Sequence, residues 1–490
     1  MTATAPRDGA VDSRRRWILL VVLCAGQLMI VLDATVVNVA LPAIQRQLHF
    51  PQASLAWVVN AYLLTFGGLL LLSGRLGDLL GRSRILLTGI AAFVVSSMFC
   101  GLAPSALALV IARFVQGASA AMVASMVLGI ISPMFPSPRD RTAALSIFAF
   151  VAIGGVSLGL VIGGLVTEVL NWHWIFFINV PVGAVVLLLG YRLLPRDPGL
   201  GIGQGADLVG AVLITSAPML TVFGLVNAGS HGWGSPVTLG ALAGSALLAG
   251  LFVVVEARVA TPLVPLRIFR HRNLVSAMVI RTLFPMGGFG FNFLGALYLQ
   301  HVLGYGPLRT GLAFLPSSAV TGTISLAAIP WMVRRVSLKS LMVAGLVLIT
   351  GGLVVFAQVT VHAQFVTVIL PAMVLVGAGF GLLFMPSVSI AMSDVATSEA
   401  GLASGLANVA VQLGASVGVA GLATFSAART AHLLVGHRPL KEALTSGYRL
   451  GFVIAAGCTA ASLAAAVILL RSQRPEPVSS LLAESGALAH

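Results

Sequence analysis

Long apolar runs separated by short polar turns set the pattern of this chain. A helix needs about 20 residues to cross a bilayer. Seven runs of that length occupy 17–41, 54–73, 84–103, 105–132, 141–167, 174–194 and 207–228. Seven more occupy 236–256, 274–302, 309–333, 338–360, 366–392, 400–427 and 447–470. They alternate weakly and are too long for barrel strands, which take about 10 residues each. The turns hold Gly, Pro and charged residues, and none is long enough to form a soluble domain. The pattern predicts an all-α polytopic membrane protein whose partner is the lipid bilayer.

Composition sharpens the picture. The chain has 490 residues, 58% hydrophobic and 9% charged. A soluble domain averages roughly 45–50% apolar and about 25% charged. These numbers exclude a soluble globular domain and a disordered chain. The net charge of +14 would suggest nucleic acid, but the basic residues lie in turns between apolar runs, where they set membrane orientation. No nucleic-acid partner is expected. Of the 28 basic residues only Lys339 and Lys441 are lysines, a bias that fits a GC-rich bacterial genome.

With the N-terminus inside, twenty of the 28 basic residues fall on the inner side and six on the outer side. Arg113 and Arg281 lie within spans. The asymmetry predicts cytoplasmic termini in a bacterial inner membrane. The loop before the last span disagrees, because it holds four of the six outer charges. Arg14–Arg16 before Trp17 imitate a signal peptide, but the apolar run that follows is long enough to span.

No phosphate-binding GxxxxGK[ST] occurs, nor GxSxG or HExxH, and nine histidines are scattered. Cys24, Cys100 and Cys458 lie far apart in apolar runs. The chain reads as a non-enzyme with no cofactor, metal site or disulfide.

Charge inside the membrane carries the chemistry. A charge at mid-bilayer costs roughly 2.5–3.5 kcal/mol on insertion scales, so it faces a cavity or a partner. Asp33 interrupts span 1 and Arg113 interrupts span 4. Each lies about eight residues, roughly 12 Å, from the outer end of its span, so the two can meet. Asp33 reads as a proton acceptor whose protonation switches as Arg113 approaches or leaves. The alternative is a permanent structural ion pair. Arg281 either snorkels to the cytoplasmic face or contacts an acidic substrate or Asp.

Between spans 2 and 3 stands GRLGDLLGRSRIL (74–86). It reads as a short cytoplasmic turn holding Gly74, Arg75, Gly77, Asp78, Gly81 and Arg82. The glycines permit close helix approach, and Asp78 is placed to accept hydrogen bonds from a neighbouring helix N-terminus. Together they form a breakable polar latch.

These segments resemble the major facilitator superfamily. GRLGDLLGRSR is similar to its cytoplasmic loop signature, and RFVQGASAA (113–121) to its fourth-helix arginine motif. LDATVVNVALPAI (32–44) resembles the first helix of its fourteen-span drug:proton antiporter branch, and WHWIFFINVPVG (172–183) the entry to that branch's sixth helix. GLASGLANVAVQLGASVGVA (401–420) is also similar to that branch. In the antiporter motif of span 5, Gly155, Gly159, Gly163 and Gly164 are present, but Leu160 replaces the usual Pro. That removes a kink.

The resemblance implies the major facilitator fold: a tail 1–16, a six-helix bundle 17–194, two inserted helices 207–256, a second bundle 274–470 and a tail 471–490. It implies a substrate site between the bundles near mid-membrane, and the expected state is a monomer. The inverted repeat itself leaves only a faint echo of the 74–86 loop at 330–342.

Span 9 adds a site candidate. FPMGGFGFNF (284–293) packs one proline and three glycines together, which predicts a bent or flexible helix. Phe284, Met286, Phe289 and Phe291 offer adaptable apolar contacts and Asn292 a polar handle; a packed aromatic stripe is the alternative. Gln116, Asn408 and Gln412 are candidates for the same cavity or for interhelical hydrogen bonds. The combined expectation is a secondary transporter that exports apolar or amphipathic drugs in exchange for protons. A dedicated exporter of one natural product and a proton-coupled nutrient importer are the alternatives.

Overall fold

The computed structural model describes residues 9–470 except 53, 136, 196, 198, 202–206, 260, 397 and 398. Among them every regular element is helical. Fourteen helices are long and apolar enough to span a membrane. The first six are α1 (Gly9–Leu48), α2 (Trp57–Leu80), α3 (Arg82–Gly101), α4 (Ala106–Met134), α5 (Pro138–Val169) and α6 (Trp174–Leu193). Next come α7 (Leu208–His231) and α8 (Pro236–Arg258). The last six are α9 (Arg272–His301), α10 (Pro307–Met332), α11 (Leu338–Phe356), α12 (Phe365–Met392), α13 (Ala400–Val435) and α14 (Leu440–Leu469). Helices suit lipid because they satisfy their own backbone groups. The tail 471–490 lies outside the described residues.

Several helices outrun their apolar cores. α1 begins at Gly9 and continues through Pro42 to Leu48, and α13 continues past 427 to Val435. The segment 74–86 is also more helical than a turn. Gly74, Gly77 and Asp78 belong to the last turns of α2, Gly81 alone separates the helices, and Arg82 opens α3. Gly81 has φ +100°, a conformation that side chains strain to adopt.

Helices α1–α6 and α9–α14 form two halves. They meet mainly where α2 packs on α13 and where α5 packs on α10. The α7–α8 hairpin lies along the α2–α13 seam. There Thr424 donates to the Leu225 carbonyl at 3.0 Å, and Trp233 stacks on Phe425 at 5.5 Å. Apolar side chains such as Phe99, Leu107 and Leu247 stay exposed on the outward faces, as a lipid-facing surface requires.

We call the end bearing Gly81 the near end and the end bearing His49 the far end. The halves are sealed at the far end. Gln300 donates to the Val39 carbonyl at 2.8 Å, and the Leu308 amide donates to Glu168 at 2.8 Å. Toward the near end Phe150 on α5 and Leu326 on α10 are exposed.

Candidate functional site

Asp33 of α1 and Arg113 of α4 do meet, each with only 1% of its side chain exposed. Arg113 Nη1 donates to Asp33 Oδ2 at 2.5 Å. The carboxylate's other oxygen accepts from Gln116 Nε2 at 2.8 Å and from Asn179 Nδ2 at 3.1 Å. Ser97 Oγ accepts from the same two amides, at 2.8 and 2.9 Å. Arg113 also donates to Gln116 Oε1 at 2.7 Å and to the Val58 carbonyl at 3.0 Å. The Tyr62 ring covers the guanidinium at 4.3 Å. Four helices of one half therefore converge on one carboxylate, with α2 behind the arginine.

Charge-assisted bonds of this kind are among the strongest available to a side chain. A buried pair is nevertheless costly to break, at about 3–5 kcal/mol when one partner is removed. α1 comes close to α5 through a stripe of small residues. A Cβ at Gly155 would touch Leu28 and Val31, one at Gly159 would strike Thr35, and one at Gly163 would lie 2.9 Å from Val36 Cα. Gly164 serves the other half instead, against Pro307 and Leu308. Helix α5 runs unbroken past Leu160, which is buried at the contact with Gly311 of α10.

At the near end, Asp78 accepts from Arg82 Nε at 3.2 Å and from Nη2 at 2.9 Å. Arg82 Nη1 reaches the Gly129 carbonyl of α4 at 2.8 Å. Among the described residues the Asp78 carboxylate thus pairs with Arg82 and not with a neighbouring helix N-terminus. Arg82 opens α3 just past the break at Gly81, and the sharp turn there keeps its guanidinium within reach of Asp78. Met126 packs over Gly77, whereas nothing lies within 4 Å of a Cβ at Gly74. Arg75 lies on the same last turns of α2.

A strap that includes residues 194, 195, 197 and 199–201 completes this end. The Leu200 and Gly201 amides donate to the carbonyls of Asp78 and Leu79 at 2.9 and 3.0 Å. Ser83 donates to the Pro195 carbonyl at 2.8 Å. Asp197 accepts from the Gly199 and Arg82 amides. These two bonds, Gly199 first, hold its carboxyl below the usual carboxylate range.

The sequence profile of the Major Facilitator Superfamily matches residues 23–419. The chain belongs to this superfamily. The puromycin resistance protein pur8 of Streptomyces alboniger is 38% identical over 443 residues, 90% of this chain and 88% of that protein. The cephamycin export protein CmcT of Amycolatopsis lactamdurans is 38% identical over 414 residues, 84% of this chain and 85% of its own length. A bacterial homolog to the human lysosomal transporter Spinster shares the fold, with a TM-score of 0.66 at 15% identity, covering 94% of this chain and 97% of that one. The chain is a multi-pass membrane transporter and not an enzyme.

The second half of this superfamily member holds the other candidates. Arg281 does not snorkel: it is 2% exposed and is bound by the Ala407 carbonyl and by Ser387. α9 is one helix through Pro285, and its glycines make close contacts with neighbouring helices. Gly287 lies against Ala455 of α14 and Gly288 against Phe380 of α12. Phe284 and Phe291 are buried core residues; Phe291 meets Phe356 at 4.9 Å. Met286, Phe289 and Asn292 are half-buried, and Asn292 donates to its own helix at Gly288. Asn408 is exposed, and Gln412 packs beside Gly67 of α2.

Asn179, Ser97 and the strap were not singled out by sequence. Asn179 had a signal, as a lone amide in the apolar segment 172–183. Ser97 had none.

Proposed function

We propose that the chain exports apolar or amphipathic small molecules from a bacterial cell, taking in protons in exchange, by alternating access between its two halves. The observation that carries this reading is Asp33, a buried carboxylate whose acceptors are filled by Arg113, Gln116 and Asn179. A proton on Asp33 removes the charge that Arg113 binds. The guanidinium is then left with Gln116 and Val58, and α1 is freed from α4. α1 packs on α5 through the glycine stripe, and both helices reach the far-end seal at Val39 and Gly164. Protonation can therefore be passed to the seal through packed helices.

The near end is read as cytoplasmic from the excess of basic residues there, and in this reading a molecule enters between the halves from that side. The Asp78–Arg82–Gly129 contacts tie α2, α3 and α4 together within the first half. In this reading they make its near end one body that closes against the second half. The protein acts as a monomer, with both termini cytoplasmic.

The relatives' names favour a narrower version, a dedicated exporter of one antibiotic, since puromycin and cephamycin appear in them. A panel of antibiotics tested in a sensitive host separates one substrate from many. The coupling is tested in inverted vesicles energised by a proton gradient. The wild type is expected to accumulate a dye or antibiotic from the panel, and Asp33→Asn to lose at least about tenfold of that rate, the equivalent of one 1.36 kcal/mol step. Full gradient-driven accumulation by Asp33→Asn overturns the assignment.

A further inference from the structure

Arg113 and Arg281 are equally hidden, yet only Arg113 has a carboxylate. Among the described residues, no Asp or Glu lies within ion-pair distance of Arg281. Its partners are neutral. Nε donates to the Ala407 carbonyl at 3.0 Å, Nη1 to Ser387 Oγ at 2.7 Å, and Nη2 to Asn408 Oδ1 at a long 3.5 Å. A guanidinium carries five N–H donors in a fixed fork suited to a carboxylate. Three neutral acceptors, one at the limit of bonding distance, leave this fork unfilled and its charge unbalanced.

Asn408 is the movable part of this arrangement. Its own surface is exposed, and it covers the weakest bond of the arginine. It is adjacent to Val409, which clusters with Leu70 of the other half, and one turn from Gln412, which packs beside Gly67. Asn408 therefore lies exposed beside the contact of α13 with the other half. Two further features lie within a turn of the arginine's partners. Gln412 Oε1 is buried with no hydrogen-bond partner, and Phe384, one turn before Ser387 on α12, is 55% exposed. A hidden cation, a buried acceptor without a hydrogen-bond partner and an exposed aromatic ring thus lie within a few turns of one another.

We infer that Arg281, behind Asn408, is a receptor for the carboxylate of an amphipathic anionic substrate. The carboxylate displaces Asn408 and takes the Nη2 edge of the fork, while an apolar body lies toward Phe384. This inference rests on the export reading above for its biological sense, but its test does not need transport.

The probes are 4-(1-pyrenyl)butyrate and its methyl ester, which differ in the carboxylate alone. Binding is measured at pH 7.5 by fluorescence on the full-length protein in lipid nanodiscs, with empty nanodiscs as background. The wild type is expected to bind the acid at least about tenfold more tightly than the ester, a difference of 1.4 kcal/mol. Arg281→Gln is expected to erase that preference and keep ester binding. Asn408→Asp answers if Arg281→Gln fails to fold: it supplies the missing anion in place and must also erase the preference. Equal binding of acid and ester by the wild type, or a preference that persists in both variants, overturns the proposal. Vesicles that move no dye while the preference stands would refute export alone. Vesicles that export neutral dye with no preference in nanodiscs would refute the Arg281 site alone.

Discussion

Single side chains decide the chemistry here. Asp33 and Arg113 were legible as a pair, because a charge inside an apolar run has few permitted explanations. Asn179 and Ser97 were less so, since Asn and Ser are tolerated in many membrane helices and only folding brings α3 and α6 to the carboxylate. The depth argument survived for a related reason. α1 runs seven residues past the outer limit of its apolar run, to Leu48, yet the extra turns lie beyond the contact and do not move it. Asp197 shows what sequence could not show, as a half-buried acid in a polar segment. Its carboxyl is held below the ordinary range by the Gly199 and Arg82 amides. A depressed value means the strap gains stability above the ordinary value, about pH 3.9, and loses it as pH falls through the lowered one. Hydrogen exchange at the Leu200 and Gly201 amides, corrected for intrinsic rate, should show protection at pH 7 that falls below about pH 4. Asp197→Asn should show weaker protection throughout. Equal protection of the wild type at pH 7 and pH 3 would contradict this.

At the scale of helices, hydropathy found all fourteen spans but not their ends, because polar terminal turns leave the apolar window while the backbone stays helical. It also misassigned Gly74, Gly77 and Asp78 to a turn when they finish α2. Glycine spacing was more informative. The stripe in α5 predicted close packing, and the neighbour proved to be α1. Leu160 leaves α5 a continuous helix whose buried side chain meets α10. Two alanine substitutions separate packing from helix propensity. Gly163→Ala drives a methyl against the Val36 backbone and should cost about 1–3 kcal/mol by overpacking, with a lower melting temperature and slowed transport. Gly154→Ala meets nothing within 4 Å and gains helix propensity, by up to about 1 kcal/mol. Equal melting temperatures for the two variants would show that the stripe does not hold α1 to α5.

The whole molecule joins two halves through α2–α13 and α5–α10, with hydrogen bonds between them at the far end. Those bonds were not readable from sequence, because only folding brings Gln300 to Val39 and Leu308 to Glu168. Alternating access requires the far-end seal to open in each cycle. Glu168→Cys with Leu308→Cys, bridged by a short bis-maleimide, should therefore stop transport, while each single variant treated alike keeps it. Undiminished transport in the bridged protein would rule out opening at that seal.

The central claim is that Asp33 exchanges its proton for substrate. The direct measurement is proton release on addition of an exported drug to the purified protein in weak buffer, followed with a pH-indicating dye. The account predicts release by the wild type, saturating with the drug, and none by Asp33→Asn although the variant still binds the drug. Equal proton release from the two proteins would contradict it.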